Sequence, residues 1–336
     1  MAAVSVRDVA RSAGVSVGTV SNVMNHPEKV SAEVSERVLK AIDDLGFVRN
    51  EVARQLRDGR SKSIGMVVLD VRNPFFTDVA RGAEDRAAEV GLSVTLGNSD
   101  ENPDRETAYL DLFEQQQVHG VLISPYADIG ERLQRLRKRG IAAVLVDRAS
   151  EDPSFSSVSV DDHAGGRLAV EHLIAEGRTR LAFVGGPMGI RQVSDRLEGA
   201  RSAVAEHPGV TLEVIALEGL TVIAGRAAGV ELVARHPDAR PDAVFAANDL
   251  VAMGVLQALM MQGAGVSVPG EIALIGYDDI DFASAAVVPL SSIRQPARLI
   301  GQTAIEILLE EAADPSIAAR HIEFQPELVA RASTAR

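Results

Sequence analysis

The sequence predicts an all-α helix-turn-helix segment at the N-terminus followed by a larger α/β core of two lobes. Three observations predict it. The first is a set of three short amphipathic patterns, the first two separated by a tight turn. The second begins at Ile64, where near-continuous apolar runs alternate with helical patterns, as in parallel sheets covered on both faces. The third is length: 336 residues exceed the roughly 100 to 200 of one domain.

The helices come first. Val6, Val9, Ala10 and Ala13 recur at spacings of three and four, then Val20, Val23 and Met24, then Val34, Val38, Ala41, Ile42 and Leu45. Ser5 with Asp8, Ser16, and Ser31 with Glu33 mark their starts, because these side chains satisfy free N–H groups or favour the helix dipole. Gly14 ends the first pattern two residues before Ser16 opens the second. The stretch RNEVARQLRDGRSK, from Arg49, is basic and helix-capable but too short to be stably helical alone, so it reads as a linker that folds on a partner. Eight apolar runs follow: IGMVVL, LSVTL, GVLIS and AAVLV before Asp147, then LAFVGG, LEVIAL, AVFAA and IALIGY after Arg180. Four and four predict two similar lobes.

The net charge of −13 runs against nucleic-acid binding, which needs Lys and Arg to neutralise phosphates. Its distribution does not: residues 1–63 hold ten basic against eight acidic residues, and the deficit lies in the remainder. The absence of cysteine excludes disulfides and thiolate metal ligands. Arg7, Asp8 and Arg11 interrupt every apolar run at the start of the chain, so no secretory signal is expected. No segment approaches the ~20 apolar residues of a spanning helix. A cytoplasmic location without membrane association is the expectation.

The run VSVRDVARSAGVSVGTVSNVMNHPEKVSAEVSERVLKAIDDLGFVRNEVARQLRDGRS resembles the DNA-binding domain and hinge of the lactose-repressor (LacI/GalR) family. NPFF at Asn73, DDHAGGRLAVEHLI at Asp161, AANDLVAMGVLQAL at Ala246 and IALIGYDD at Ile272 are similar to the same family, so the resemblance covers nearly the whole chain. It implies a helix-turn-helix domain at 1–48, a hinge at 49–62, and a core at 63–336 similar to type I periplasmic sugar-binding proteins. The lobes would comprise 63–160 plus 292–320 and 161–291 plus 321–336. It also implies a homodimeric repressor on palindromic double-stranded operator DNA, controlled by a small sugar or sugar-like effector and needing no cofactor.

A recognition helix seats its N-terminal residues at base edges while short polar side chains hold phosphates. The resemblance puts Val17, Gly18 and Asn22 at bases and Ser16, Thr19, Ser21 and Asn25 at the backbone. An Asn22 amide pairs bidentately with adenine, whereas family members often carry Arg there, suited to guanine. Outside such a motif, an isolated Ser or Asn reads as solvated surface. Asn50, Ala53 and Leu56 share one face of the hinge by their three-residue spacing. Leu56 either packs on the core or, as in the family, wedges into a minor-groove step. Arg49 replaces the family's usual Pro.

In open α/β sheets ligands bind beyond the carboxyl ends of the strands. Polar residues ending the strand patterns are therefore candidates: Asp70, Ser124, Asp147, Arg148, Asn248, Asp249 and Asp278, with Phe75, Arg191, Arg196 and Gln295 nearby. The resemblance independently implies effector contacts at Asp147, Arg196, Asn248, Asp278 and Gln295. Carboxylates, an amide and a guanidinium suit vicinal hydroxyls, and Phe75 suits a sugar face. Asp249 reads as a helix cap, and Asp147 stands between cap and ligand contact.

The pattern GVSVG at Gly14 lacks the strand that a nucleophile elbow requires. No glycine cluster gives G-x-G-x-x-G, and no two of the seven histidines have metal-ligand spacing. Neither a catalytic residue nor a metal site is expected. A solute-binding protein would share the cleft but have no use for the first 60 residues, and an enzyme would need a nucleophile or general base in it.

Overall fold

The computed structural model describes residues 4–47, 61–126, 129–261, 263 and 265–335. The chain divides into two compact units, Met1–Arg60 and Ser61–Arg336. The hinge residues Asn50, Ala53 and Leu56, with Arg49, lie outside the described residues.

The first unit contains helices α1 (Val6–Ala13), α2 (Val17–Asn25) and α3 (Ala32–Leu45), with a 3-10 turn at Pro27–Lys29. Its core is Val9, Ala10, Ala13, Val20, Val23, Val38 and Ala41, all positions that the apolar periodicity marks. Asp8 accepts the Ser5 backbone N–H at 3.0 Å, which closes the start of α1. Gly14 ends it at φ +64°, a left-handed turn costly for any other residue. The Ser16 hydroxyl then accepts the Thr19 N–H at 3.0 Å to open α2. Ser31 makes no such side-chain bond at the start of α3.

The second unit contains two six-stranded sheets. The first orders as β2 (Ser93–Asn98), β1 (Ser63–Val68), β3 (Gly120–Ile123), β4 (Ala142–Val146), β5 (Ser157–Val160) and β11 (His321–Phe324), all parallel. The second orders as β7 (Thr211–Ala216), β6 (Arg180–Gly185), β8 (Ala243–Ala246), β9 (Ala273–Asp278), β10 (Ser291–Arg294) and β12 (Glu327–Val329), with β12 antiparallel at the edge. In each sheet the order reverses beside the first strand, β1 or β6. The carboxyl ends next to that reversal are where doubly wound folds hold ligands. In the second lobe Phe183 and Phe245 meet edge to face, 5.3 Å apart, at the centre of the core.

Helices cover both sheets: α4 (Pro74–Glu89), α5 (Pro103–Gln115), α6 (Gly130–Lys138) and α12 (Ala297–Ala313) on the first lobe, and α7 (Asp162–Ala175), α8 (Arg191–Ala205), α9 (Val222–Ala234) and α10 (Asp249–Leu259) on the second. A short α11 (Asp281–Ala285) follows β9. Three helix pairs cross at reciprocal glycines: Gly82 and Gly301 join α4 to α12, Gly166 and Gly199 join α7 to α8, and Gly225 and Gly254 join α9 to α10. A methyl group on any of the six would collide with a backbone carbonyl oxygen of the facing helix, so the backbones touch.

Two lobe boundaries need correction. The expected second segment of the first lobe starts at residue 292, but Ser291–Arg294 pairs with β9 and β12 in the second sheet, so the chain crosses at Gln295. Residues 321–324, assigned to the second lobe, pair with β5 in the first, so that crossing falls at Gln325 and Pro326. Both strands are four residues long and rich in polar residues, and neither forms an apolar run.

Candidate binding cleft and nucleic-acid face

On α2, Val17, Gly18 and Asn22 are exposed, and Val17 is 43% accessible despite being apolar. Val20 and Val23 face inward. The polar residues around the exposed stripe brace one another: Ser16 and Thr19 hydroxyls lie 2.9 Å apart, and the Asn25 amide donates to the Ser21 carbonyl at 2.8 Å and to its hydroxyl at 3.2 Å. The helix thus offers a short, nearly flat face of one amide, one apolar tip and a gap at Gly18.

The cleft between the lobes holds about 450 Å³ of non-atom space, open solvent at its mouth included. The first lobe lines it with Leu69, Asp70, Asn73, Phe75, Phe76, Glu101 and Asp147, and the second with Ile190, Gln192, Val193, Arg196, Leu220, Asn248 and Asp278. The apolar residues form its walls, with Phe75 and Phe76 edge to face at 5.1 Å. The polar residues sit where strands end: Asp147 follows β4, Asn248 follows β8, and Asp278 ends β9. Asp147 at φ +60° and Asp278 at φ +102° adopt backbone conformations that L-residues avoid.

Arg196 is the buried cation. Its Nε donates to Asp162 at 2.7 Å, its Nη1 to the Ala247 carbonyl at 2.8 Å, and its guanidinium lies 3.6 Å from the Tyr277 ring centre. Burial opposes its charge, but Asp162, Asp278 and Asp147 more than offset this, and its pKa is raised. Nη2 lies 4.0 Å from Asp278, beyond hydrogen-bond reach. Burial raises the pKa of Asp147 well above the carboxylate range, the Asp162 charge adds to it, and Arg196 opposes. Burial also raises Asp278, against Arg196 and the amides of Asn73 and Gln295, each donating at 2.8 Å.

Hydrogen bonds and ion pairs join the lobes across the cleft, Arg191 of the second with Glu151 of the first among them. Asn73 of the first lobe donates to Asp278 of the second, and Gln192 of the second donates to Asp147 of the first, through its carbonyl at 2.7 Å and its carboxylate at 2.9 Å. Asp147 Oδ1 and Gln192 Oε1 are nevertheless buried without a hydrogen-bond partner.

The structure thus brings together Asp70, Phe75, Asp147, Arg196, Asn248 and Asp278 from the sequence candidates and separates the other five, of which Arg148 lines a different pocket beside Glu151. Ser124 is enclosed at the end of β3 and does not line the cleft. Arg191 points outward from the first turn of α8, where it pairs with Glu151 and Asp195. Gln295 lies behind Asp278, in a neighbouring cavity that shares Phe75 and Asp278 with the cleft. Asp249 does not cap α10. Asn248 does so, accepting the Val251 N–H at 2.9 Å, while Asp249 is buried against the Ser292 hydroxyl and the Ile280 N–H. Asp147 caps no helix.

Sequence reasoning missed Asn73, Glu101, Asp162 and Gln192. Gln192 had a signal: it precedes Arg196 by four residues, one helical turn, so the two share a face from which Arg191 is excluded. Asp161 and Asp162 point apart, Asp161 capping α7 through the Ala164 N–H at 2.8 Å and Asp162 turning inward to Arg196. Among the described residues no cluster could hold a metal ion and no helix is long and apolar enough to cross a membrane.

Comparison with known proteins follows the same division. Residues 5–50 match the model for bacterial regulatory proteins of the lacI family, and residues 170–334 match a periplasmic binding protein-like domain. The HTH-type transcriptional repressor PurR of Photobacterium profundum is 35% identical over 98% of both chains. The ribose operon repressor of Escherichia coli (strain K12) is 34% identical over 98% of this chain and 99% of its own. Among solved structures, the lac repressor dimer bound to operator and the anti-inducer ONPF superposes with a TM-score of 0.85 at 27% identity, over 100% of both chains. A LacI family transcriptional regulator from Enterococcus faecium with bound ribose gives 0.74 at 29% identity, over 81% of this chain and 98% of that one. With a helix-turn-helix unit, a two-lobed core of the same architecture and end-to-end similarity to two repressors, the chain belongs to the lacI family of bacterial regulatory proteins.

Proposed function

We propose that the protein is a cytoplasmic, homodimeric repressor that binds a palindromic operator through α2 and is controlled by a small neutral sugar in the cleft. It is read as a binding protein and not an enzyme. The observation that carries the effector assignment is the imbalance of the buried polar set. Asp147, Asp278 and the carbonyl oxygen of Gln192 are acceptors at the cleft, and two of them, Asp147 and Gln192, hold an atom without a partner. A buried acceptor without a donor costs about 1 to 3 kcal/mol. A ligand that supplies hydroxyl hydrogens on several carbons removes that cost, while Arg196 Nη2 meets a ring or hydroxyl oxygen and Phe75 and Leu220 cover the C–H faces. The two repressors compared differ little in identity, so overall similarity does not select the effector; cleft chemistry does.

The homodimer draws support from apolar side chains that the second lobe leaves exposed: Ile223 and Val230 on α9, Met260 and Met261 beyond α10, and Phe282 and Val287. Apolar surface on this scale marks a protein interface. Two copies also supply the two half-sites that one short recognition helix cannot cover.

A thermal-shift screen of monosaccharides tests the effector, since a ligand at 100 times its dissociation constant adds about 2.7 kcal/mol to stability. D-ribose or a close relative should stabilise the wild type. Asp278→Ala should abolish the shift and the response of operator binding to sugar, with operator affinity itself within about twofold. A fully sugar-responsive Asp278→Ala would move the effector site elsewhere.

A further inference from the structure

Two carboxylates of the cleft lie outside the hydroxyl-binding set, Asp70, which Arg72 pairs, and Glu101. Glu101 follows β2 in a loop where two consecutive residues, Asp100 and Glu101, both stand at φ +55°. Two adjacent non-glycine residues in the left-handed region are strained and persist only where the surroundings impose them. Here the Glu101 N–H donates to the Leu69 carbonyl at 3.1 Å, and the Asn102 side chain caps α5 immediately beyond. The loop is thereby pinned with Glu101 at the cleft wall. Its carboxylate accepts no hydrogen bond from any described residue, although Arg72 lies close. Arg72 is committed elsewhere, donating from Nε to both oxygens of Asp70 at 2.9 and 3.0 Å and from Nη2 to Asp100 at 2.8 Å; Arg105 also binds Asp100.

We propose that Glu101 is a charge-selecting contact of the effector cleft, admitting neutral polyols and rejecting their phosphate esters. This rests on the sugar reading of the cleft and deepens it. The charged groups lining the cavity are Asp70, Glu101, Asp147 and Asp278 against Arg196 alone. Arg72 neutralises Asp70, and Asp162 pairs with Arg196 from behind, so that among the described residues of the lining the one cation already has its counter-charge. Glu101 is the half-buried member of the set, whereas Asp70, Asp147 and Asp278 are buried. Its pKa is raised to about 7, by burial first and then by the charge of Asp70, so its charge varies across neutrality. The rejection therefore weakens as pH falls below that value.

Calorimetric titration of the full-length protein with D-ribose and D-ribose 5-phosphate, at about pH 6 and about pH 8, tests the proposal on wild type, Glu101→Gln and Asp278→Ala. Wild type should prefer ribose to its phosphate at the higher pH, and Glu101→Gln should reduce that preference about tenfold while leaving ribose affinity within about threefold. At the lower pH wild type and Glu101→Gln should converge; comparing the two at each pH cancels the titration of the phosphate itself. A preference that Glu101→Gln leaves unchanged at both values overturns the proposal and points to steric exclusion, with the sugar reading intact. Phosphate ester bound by wild type as tightly as ribose at the higher pH also overturns it. If neither compound nor any neutral monosaccharide binds wild type, the sugar reading falls and takes this proposal with it. Asp278→Ala should lose both ligands, which locates them in this cleft.

Discussion

Single residues divide into those whose role follows from chemistry and those whose role follows from placement. Asn22 belongs to the first kind, since an exposed amide in the middle of α2 has no structural duty. Asn22→Ala should weaken specific operator binding by ~1 to 3 kcal/mol and relax the preference at one base position. Selection of binding sites from random DNA with both proteins reads this directly, and identical motifs would remove Asn22 from the interface. Glu101 belongs to the second kind, and its raised pKa has a signed consequence for stability. An acid held protonated in the fold up to about pH 7, against an ordinary value of 4.5, destabilises the folded protein progressively as pH rises through that window. Denaturant midpoints of wild type should therefore fall relative to Glu101→Gln between those values and run parallel on either side. Parallel curves throughout would mean that the carboxylate titrates normally.

Secondary-structure elements were legible where pattern alone determines them. The three helices of the first unit and the eight apolar strands carry their own periodicity, and the structure returns them. Ser291–Arg294 and His321–Phe324 carry none: the second is a half-exposed edge strand, and in the first Ser291 and Ser292 are buried against polar partners, Ser333, Thr334 and Asp249, instead of an apolar layer. Their pairing is decided by the partner strand. The site was legible to the same degree. Asp147, Asn248 and Asp278 end recognisable strands, whereas Asn73 and Glu101 sit in loops that only the fold brings to the cleft. Gly199 shows how an element can matter without any polar chemistry. It lets α8 touch α7 at the level of His163, within a turn of the Asp162 and Arg196 pair. Gly199→Ala should cost about 1 to 3 kcal/mol through overpacking and should weaken sugar binding as well, by displacing Arg196. Urea unfolding and titration of sugar, compared with Gly219→Ala, where the backbone is ordinary and the space open, would separate a crossing defect from a general loss of glycine.

The molecule as a whole is expected to function only when doubled. Replacing Ile223, which is 82% accessible, and Met260 together by Glu should leave sugar binding intact, because neither residue lines the cleft. The same protein should sediment as a monomer and lose most operator affinity, since each half-site is then bound alone. A dimeric, fully active double variant would place the interface on another face. Legibility at this scale came from order along the chain: a helical unit, a basic linker and two α/β lobes. Two of the three chain crossings between the lobes could not be positioned to the residue, because they lie beside the two strands that lack a pattern.

Those three crossings act mechanically as flexures arranged side by side. One lies between Val160 and Asp162, one at Gln295 and Pro296, and one at Gln325 and Pro326. Asp161 donates its N–H to the Phe324 carbonyl at 3.0 Å, so two of them are bonded together. A single tether would let the lobes gape, twist and slide, but three anchored tethers cancel most of those freedoms. What survives is a small rotation about the line joining them. Proline in two of the three stiffens them further by fixing φ. The device thus converts the shape of a ligand into one angle, and a rotation with a single axis can be transmitted to the start of β1, at the far end of its lobe, without being dissipated in between.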